Sequence, residues 1–243
     1  MIQRLEKQGF VCTNQQDADR SVQCLGKVLD YPEKVRIYIP RNFKPTQGSV
    51  SANYFFHGFR SAQTFAINKN DTQNPSDFAA IYHEANNAES LLIIPESQGK
   101  CETYFKFNQE GYFKKFNEEI AKLTGQKIDT FKLSGHSGAY RVLDNLTKKS
   151  DIKNQIRKIL FLDSVYSDLP GVRNWLQESS QRRIKIAYVT GAEQSTVAAT
   201  EKFLNQSAAV TGQIEILKLP TRPGGGSHMD AIRSGGLVDH LRP

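Results

Sequence analysis

The second half of the chain alternates short apolar runs with amphipathic helical patterns, and few folds accept that order. "EGYFKKFNEEIAKLTG" (110–125) places Tyr112, Phe113, Phe116, Ile120 and Leu123 on one helical stripe and ends in glycine. "DTFKLSG" then reads as a strand, "GAYRVLDNLTKKS" as a helix and "IRKILFLDSVY" as a strand. "GVRNWLQESS" is a short helix, "RIKIAYVTG" a strand, "STVAATEKFLNQSA" a helix and "QIEILKLP" the last strand. "SHMDAIRSGGLVDHL" closes the chain with a short helix. Strands that alternate with helices make βαβ units and a mostly parallel sheet covered on both faces.

The N-terminal third reads differently. "GFVCT", "VQCLGKVL" and "KVRIYIP" alternate apolar and polar side chains, as antiparallel strands with one buried face do. "SVSANYFFHG" is a more apolar strand, "PSDFAAIYHEANNA" a helix with Pro75 near its first turn, and "SLLIIPE" a fully buried strand. The expectation is one α/β domain over 1–243, with an N-terminal β-hairpin region (1–33) leading into the main core (34–243). A chain of 243 residues buries a sizeable core as one domain.

Hydrophobic content of 38% and charged content of 23% fit a soluble globular protein. No apolar run has the length of a membrane span, so no membrane-spanning partner is expected. The formal charge of +7 raises nucleic acid as a partner, but the basic residues are scattered. The densest clusters, Lys148–Lys149 and Arg182–Arg183, are pairs rather than stripes, and no nucleic-acid partner is expected. No two histidines have ligand spacing and no CxxC pair occurs, so neither a metal nor another cofactor is expected. Nothing in the sequence sets an oligomeric state.

Cys12 and Cys24 sit in two β-like runs separated by the polar "NQQDAD". Folded as a hairpin, the runs place the two sulfurs opposite each other. A disulfide there stabilises by roughly 3 kcal/mol and implies an oxidising compartment. Cys101 is left over. The alternative is three reduced thiols in a cytoplasmic protein. "MIQRLEKQGF" lacks the apolar segment of a signal peptide. With the disulfide, the expected form is a periplasmic or secreted protein whose signal has been removed.

In open α/β sheets the ligand site lies beyond the carboxyl ends of the strands. One such end carries Gly135-His136-Ser137-Gly138-Ala139, a near match to G-x-S-x-G with Ala139 at the last position. The pattern has a steric cause. A nucleophile on a sharp strand-to-helix turn needs small neighbours two residues away on each side. A serine hydroxyl also needs an imidazole within hydrogen-bond reach. Of five histidines, His57 closes an earlier strand, His83 lies inside a helix, and His240 is near the end. His136 adjoins Ser137 and is read as pointing away from a base position. His228 remains, in the glycine-rich segment after the last strand. The carboxylate that orients it is Asp163, at the end of "KILFLD", with Glu193 as the alternative and Asp168 a distant third. The oxyanion donors are the N–H of Gly138 and, from the end of "FFHGF", the N–H of Phe59.

Ser137, Asp163 and His228 in that order, the "GHSGA" turn, the "FFHGF" strand end and the strand alternation resemble an α/β-hydrolase from about Lys34 to His240. The resemblance implies a three-layer fold, with the antiparallel N-terminal hairpin added to it. It implies a serine hydrolase that forms an acyl-enzyme on Ser137, with His228 as base and then acid. Two departures stand out. Ala139 replaces the usual glycine, and the acid follows the strand directly after the elbow helix, whereas the family more often uses the next strand. The short stretch after Asp163 leaves no room for a large cap domain.

Tyr166, Trp175, Phe59 and Arg60 are candidates to line a pocket. Arg60, Arg141 and Arg222 are candidates to bind a substrate carboxylate, since a guanidinium matches it bidentately. The expected substrate is a small-molecule, peptide or polymer-fragment ester or amide. A peptidase or carboxypeptidase of cell-wall or other peptides is the main variant, and an inactive ligand-binding scaffold the other alternative.

Overall fold

Nine strands form one sheet in the computed structural model, which describes residues 1–14, 22–40, 43–44, 48–58, 90–97, 104–190, 194–220, 228 and 230–233. The strands are β1 (Val11–Asn14), β2 (Val22–Gly26), β3 (Val35–Ile39), β4 (Ser49–Phe56), β5 (Leu91–Pro95), β6 (Lys127–His136), β7 (Ile156–Leu162), β8 (Arg183–Val189) and β9 (Ile214–Leu219). Their order across the sheet is β1-β2-β3-β5-β4-β6-β7-β8-β9. The three pairings from β1 to β5 are antiparallel, and every pairing from β5 through β4 to β9 is parallel. The sheet therefore changes sense at β3–β5, as the change from alternating to continuous apolar patterning predicts.

The described helices are α1 (Ile2–Lys7), α2 (Phe105–Asn108), α3 (Tyr112–Thr124), α4 (Tyr140–Thr147), α5 (Pro170–Gln177), α6 (Gln194–Gln206) and α7 (Asp230–Arg233). The predicted stripe of α3 is its buried face, and the helix stops at Gly125, whose left-handed φ of 70° lets its N–H close onto Ala121 and Lys122 carbonyls. α3 packs its aromatics onto the sheet. Phe113 lies 5.0 Å from Tyr54 and 5.5 Å from Phe131, ring centre to ring centre. The Tyr54 hydroxyl is not stranded in this apolar layer, because it donates to Asn117 Oδ1 at 2.7 Å.

Two apolar clusters cover the two faces of the sheet, which makes the architecture three-layered. The larger joins α3, α4 and α5 to the inner strands and holds Phe113, Leu143 and Trp175. The smaller lies on the other face, around Phe55, Leu160, Leu162 and Ala187, and receives Ala231 and Ile232 of α7. Those two side chains hold α7 on that face. Between β7 and β8 the chain forms only α5, so no cap domain is inserted there.

Cys12 and Cys24 are direct register partners in the β1–β2 ladder and form a disulfide. Two helices depart from the sequence reading. α1 was read as part of a β-rich start, and α2 was not anticipated; α1 buries only Leu5 and α2 only Phe107, too few side chains to show a helical stripe. The helix expected over 75–88, Cys101 and the end of the expected closing helix lie outside the described residues.

Candidate active site

The ends of β4, β6 and β7 converge on Ser137. β6 runs to His136, and the chain turns at once into a 3₁₀ turn over Ser137–Ala139 and then into α4. Ser137 has φ of 57°, a left-handed conformation that costs a non-glycine residue roughly 1–3 kcal/mol. The turn is held by neighbours. Ser164 Oγ donates to the Ser137 carbonyl at 2.5 Å. A Cβ placed on Gly135 would lie 2.9 Å from Ala139 Cβ and 2.8 Å from Leu143 Cδ1. The two small positions of the motif thus face each other across the turn. There is room for one Cβ between them, which is why alanine is accepted at 139 while glycine is needed at 135.

Asp163 follows β7 directly. It is fully buried, has φ of 43°, and its N–H donates to the Ala187 carbonyl at 2.7 Å. Its Oδ2 lies 2.5 Å from His228 Nδ1. An ionised carboxylate only accepts, so Nδ1 carries the hydrogen and Nε2 is left as the basic nitrogen. Nε2 is buried and makes no hydrogen bond among the described residues, and Asp163 Oδ1 is likewise without a partner. The candidate serine is therefore not yet bonded to the imidazole in this conformation.

β4 ends beside the same serine. A Cβ on Gly58 would stand 2.4 Å from Ser137 Cβ and 3.0 Å from Ser137 Oγ, so only glycine lets the two turns approach this closely. His57 is fixed on every side. Ser97 N–H donates to its Nε2 at 3.1 Å, its Nδ1 donates to the Gly58 carbonyl at 3.0 Å, and Tyr104 Oη accepts from the His57 N–H and donates to its carbonyl. Burial first, and the Arg36 guanidinium second, push its pKa down to about 3, so the ring is neutral.

His136 corrects the sequence reading. Its ring does not point away from the base position; its centroid lies 4.3 Å from that of His228, with the planes tilted by 37°. His136 is the register partner of Leu162, so it sits on the face onto which Ala231 and Ile232 fold. Trp175, a candidate to line a pocket, takes a core position instead. It is buried in α5, donates Nε1–H to the Lys153 carbonyl at 2.9 Å and packs under Arg182, away from the strand ends. Tyr166 stands edge-on to His228, with ring centres 6.3 Å apart. Arg141 lines a cleft of about 450 Å³ with Tyr104, Phe105, Asn108, Val142 and Asn145. Asp168 pairs with Arg173 at 2.7 Å and takes no part. Phe59, Arg60, Glu193 and Arg222 lie outside the described residues.

Sequence reasoning missed Ser164, Ser97 and Tyr104 as groups that hold the two turns. Ser164 carried a signal, since it directly follows the candidate acid; Ser97 and Tyr104 carried none. Among the described residues no group of three His, Cys, Asp or Glu side chains is placed to hold a metal ion, and no helix is long and apolar enough to cross a membrane.

No family model and no curated protein matches the chain. Solved structures do. An S-formylglutathione hydrolase from Agrobacterium tumefaciens aligns over 95% of this chain and 96% of its own, at 11% identity and a TM-score of 0.57. The poly(3-hydroxybutyrate) depolymerase LpqC of Bordetella parapertussis aligns over 98% and 93%, at 12% identity and 0.57. A thermostable esterase aligns over 92% of this chain and 62% of its own, at 12% identity and 0.59. At such identities the likeness establishes the fold, and the fold is that of the α/β-hydrolases.

Proposed function

We propose that this α/β-hydrolase-fold chain is a serine hydrolase that cleaves carboxylic esters through an acyl-enzyme on Ser137. The observation that carries the reading is the 2.5 Å contact of Asp163 Oδ2 with His228 Nδ1, formed at the strand ends beside a serine held at positive φ. In this reading His228 Nε2 takes the Ser137 proton as Oγ attacks the ester carbonyl. Asp163 holds the imidazole in the Nδ1–H tautomer and stabilises the imidazolium. The developing oxyanion takes hydrogen bonds from the N–H of Gly138 and of Phe59. The imidazolium then protonates the leaving alkoxide, and water, activated by the same nitrogen, releases the acid.

Esters are put before amides because esterases and an S-formylglutathione hydrolase are among the similar solved structures; a putative dipeptidyl aminopeptidase IV is among them too and carries the peptidase variant. Tyr166 and Arg141, with Arg60 and Arg222, are the proposed substrate contacts. The Cys12–Cys24 disulfide supports a periplasmic or secreted protein. The test is rapid mixing with a series of p-nitrophenyl esters. A burst of one p-nitrophenol per active site, followed by slower turnover, is expected of an acyl-enzyme. Turnover without a burst at any chain length, together with unchanged turnover of Ser137→Ala, would overturn it.

A further inference from the structure

We propose that His136, the residue before the elbow serine, is a positioning residue that sets the place of the His228 imidazole. The proposal rests on the reading of His228 as the general base.

Among the described residues the His228 ring makes one hydrogen bond, from Nδ1 to Asp163. A single hydrogen bond fixes direction but leaves the ring free to swing about it. His136 supplies what is missing. Its ring centroid lies 4.3 Å from that of His228, and Tyr166 stands edge-on to the same ring at 6.3 Å. Its Nε2 lies 3.4 Å from the His228 backbone carbonyl. A carbonyl can only accept, so His136 Nε2 carries the hydrogen, and one side chain touches both the ring and the main chain of the same residue.

The choice of imidazole is itself informative. His136 is buried, and its Nδ1 has no hydrogen-bond partner among the described residues. Burial, and secondarily His228, hold the ring neutral by pushing its pKa well below the usual histidine value. An apolar ring would fill the same space without an orphaned nitrogen, and orphaned buried polar atoms are destabilising. Packing alone would therefore favour phenylalanine. What phenylalanine lacks is the N–H that reaches the His228 carbonyl. Displacing a catalytic group by 1 Å can cost about 100-fold in rate, so a tether of this kind has room to matter.

The test compares His136→Phe with His136→Gln on the intact, disulfide-bonded chain, using the p-nitrophenyl ester assay. His136→Phe keeps the ring and loses the donor; His136→Gln returns an amide N–H near the same place. His136→Phe is expected to melt no lower than wild type, yet to lose about tenfold in kcat with KM within about threefold. His136→Gln is expected to turn over faster than His136→Phe while melting lower. Wild-type kcat in His136→Phe, or a His136→Gln no faster than it, overturns the proposal. His136→Leu replaces Phe in the comparison if that protein does not fold. His228→Ala in the same assay separates the two readings. If it keeps wild-type turnover, the base assignment falls; if it abolishes turnover while His136→Phe keeps it, only the role of His136 falls.

Discussion

Two buried histidines stand at the ends of neighbouring strands, His57 directly after β4 and His136 at the end of β6, and the molecule treats them in opposite ways. His57 has both ring nitrogens and both main-chain groups bonded. His136 has an Nδ1 without a partner among the described residues, a long bond to a carbonyl, and a successor, Ser137, at positive φ. Asp163 Oδ1 and His228 Nε2 likewise have no hydrogen-bond partner among the described residues. Native structures leave few buried polar atoms unsatisfied, and those they leave call for a reason. The difference separates a histidine that is held rigid from one that stands among unsatisfied groups, and the proposed proton transfers run through the second.

The strongest way to break that contrast is to change the unsatisfied side. Asp163→Asn keeps the shape but can no longer hold the imidazole in one tautomer or balance its charge. It should lower kcat/KM by about 1,000- to 10,000-fold with the fold intact by circular dichroism, and a loss under tenfold would contradict the assignment. Gly58→Ala attacks the seam between the two sides. Its Cβ would stand 2.4 Å from Ser137 Cβ, so one turn must move. A drop of about 100-fold in kcat is expected, and a variant as fast as wild type would show that the turns do not need to touch.

Changing the satisfied side should be read out as stability. A histidine in an unfolded chain takes up its proton near pH 6.5, but folded His57 stays neutral down to about pH 3. Between those values the unfolded state binds more protons, so stability must fall as pH drops. The slope from His57 is at most about 1.4 kcal/mol per pH unit. Urea melts at pH 4 and pH 7 should differ less in His57→Phe than in wild type; an unchanged difference would mean the ring is not buried neutral. Glu96 works with the opposite sign. Burial, then Glu33, raise its pKa to about 7, so between pH 4.5 and 7 the folded chain holds the extra proton and stability falls as pH rises.

The smallest effect on turnover should come from the remote hairpin. Reducing Cys12–Cys24 should lower stability by about 3 kcal/mol and leave kcat within about twofold. A large loss of kcat on reduction would tie the hairpin to the site and blur the distinction between scaffold and site.

The parallel half of the fold was legible because each of its elements states its own period. α3 begins and ends where its stripe and Gly125 predict, and β6 to β9 sit at the predicted runs. The Cys12–Cys24 pairing was legible because a hairpin register places its partners by counting. α1 was not, since six residues with one buried side chain show no period. The site was legible where it depends on chain order and local sterics, as at Gly135, Ser137 and Ala139. It was not legible where it depends on what folds back. His136 and His228 are 92 residues apart, and they meet beside the face of the sheet onto which Ala231 and Ile232 pack. Trp175 could not be placed for a related reason: nothing local says that Lys153 and Arg182 will enclose it.

The central claim is that Ser137 is the group that bonds to substrate. A fluorophosphonate probe followed by peptide mass spectrometry tests it most directly. The account predicts one adduct per chain, on Ser137, absent from Ser137→Ala and strongly slowed in His228→Ala. No labelling of the wild type, or equal labelling of Ser137→Ala, would contradict it.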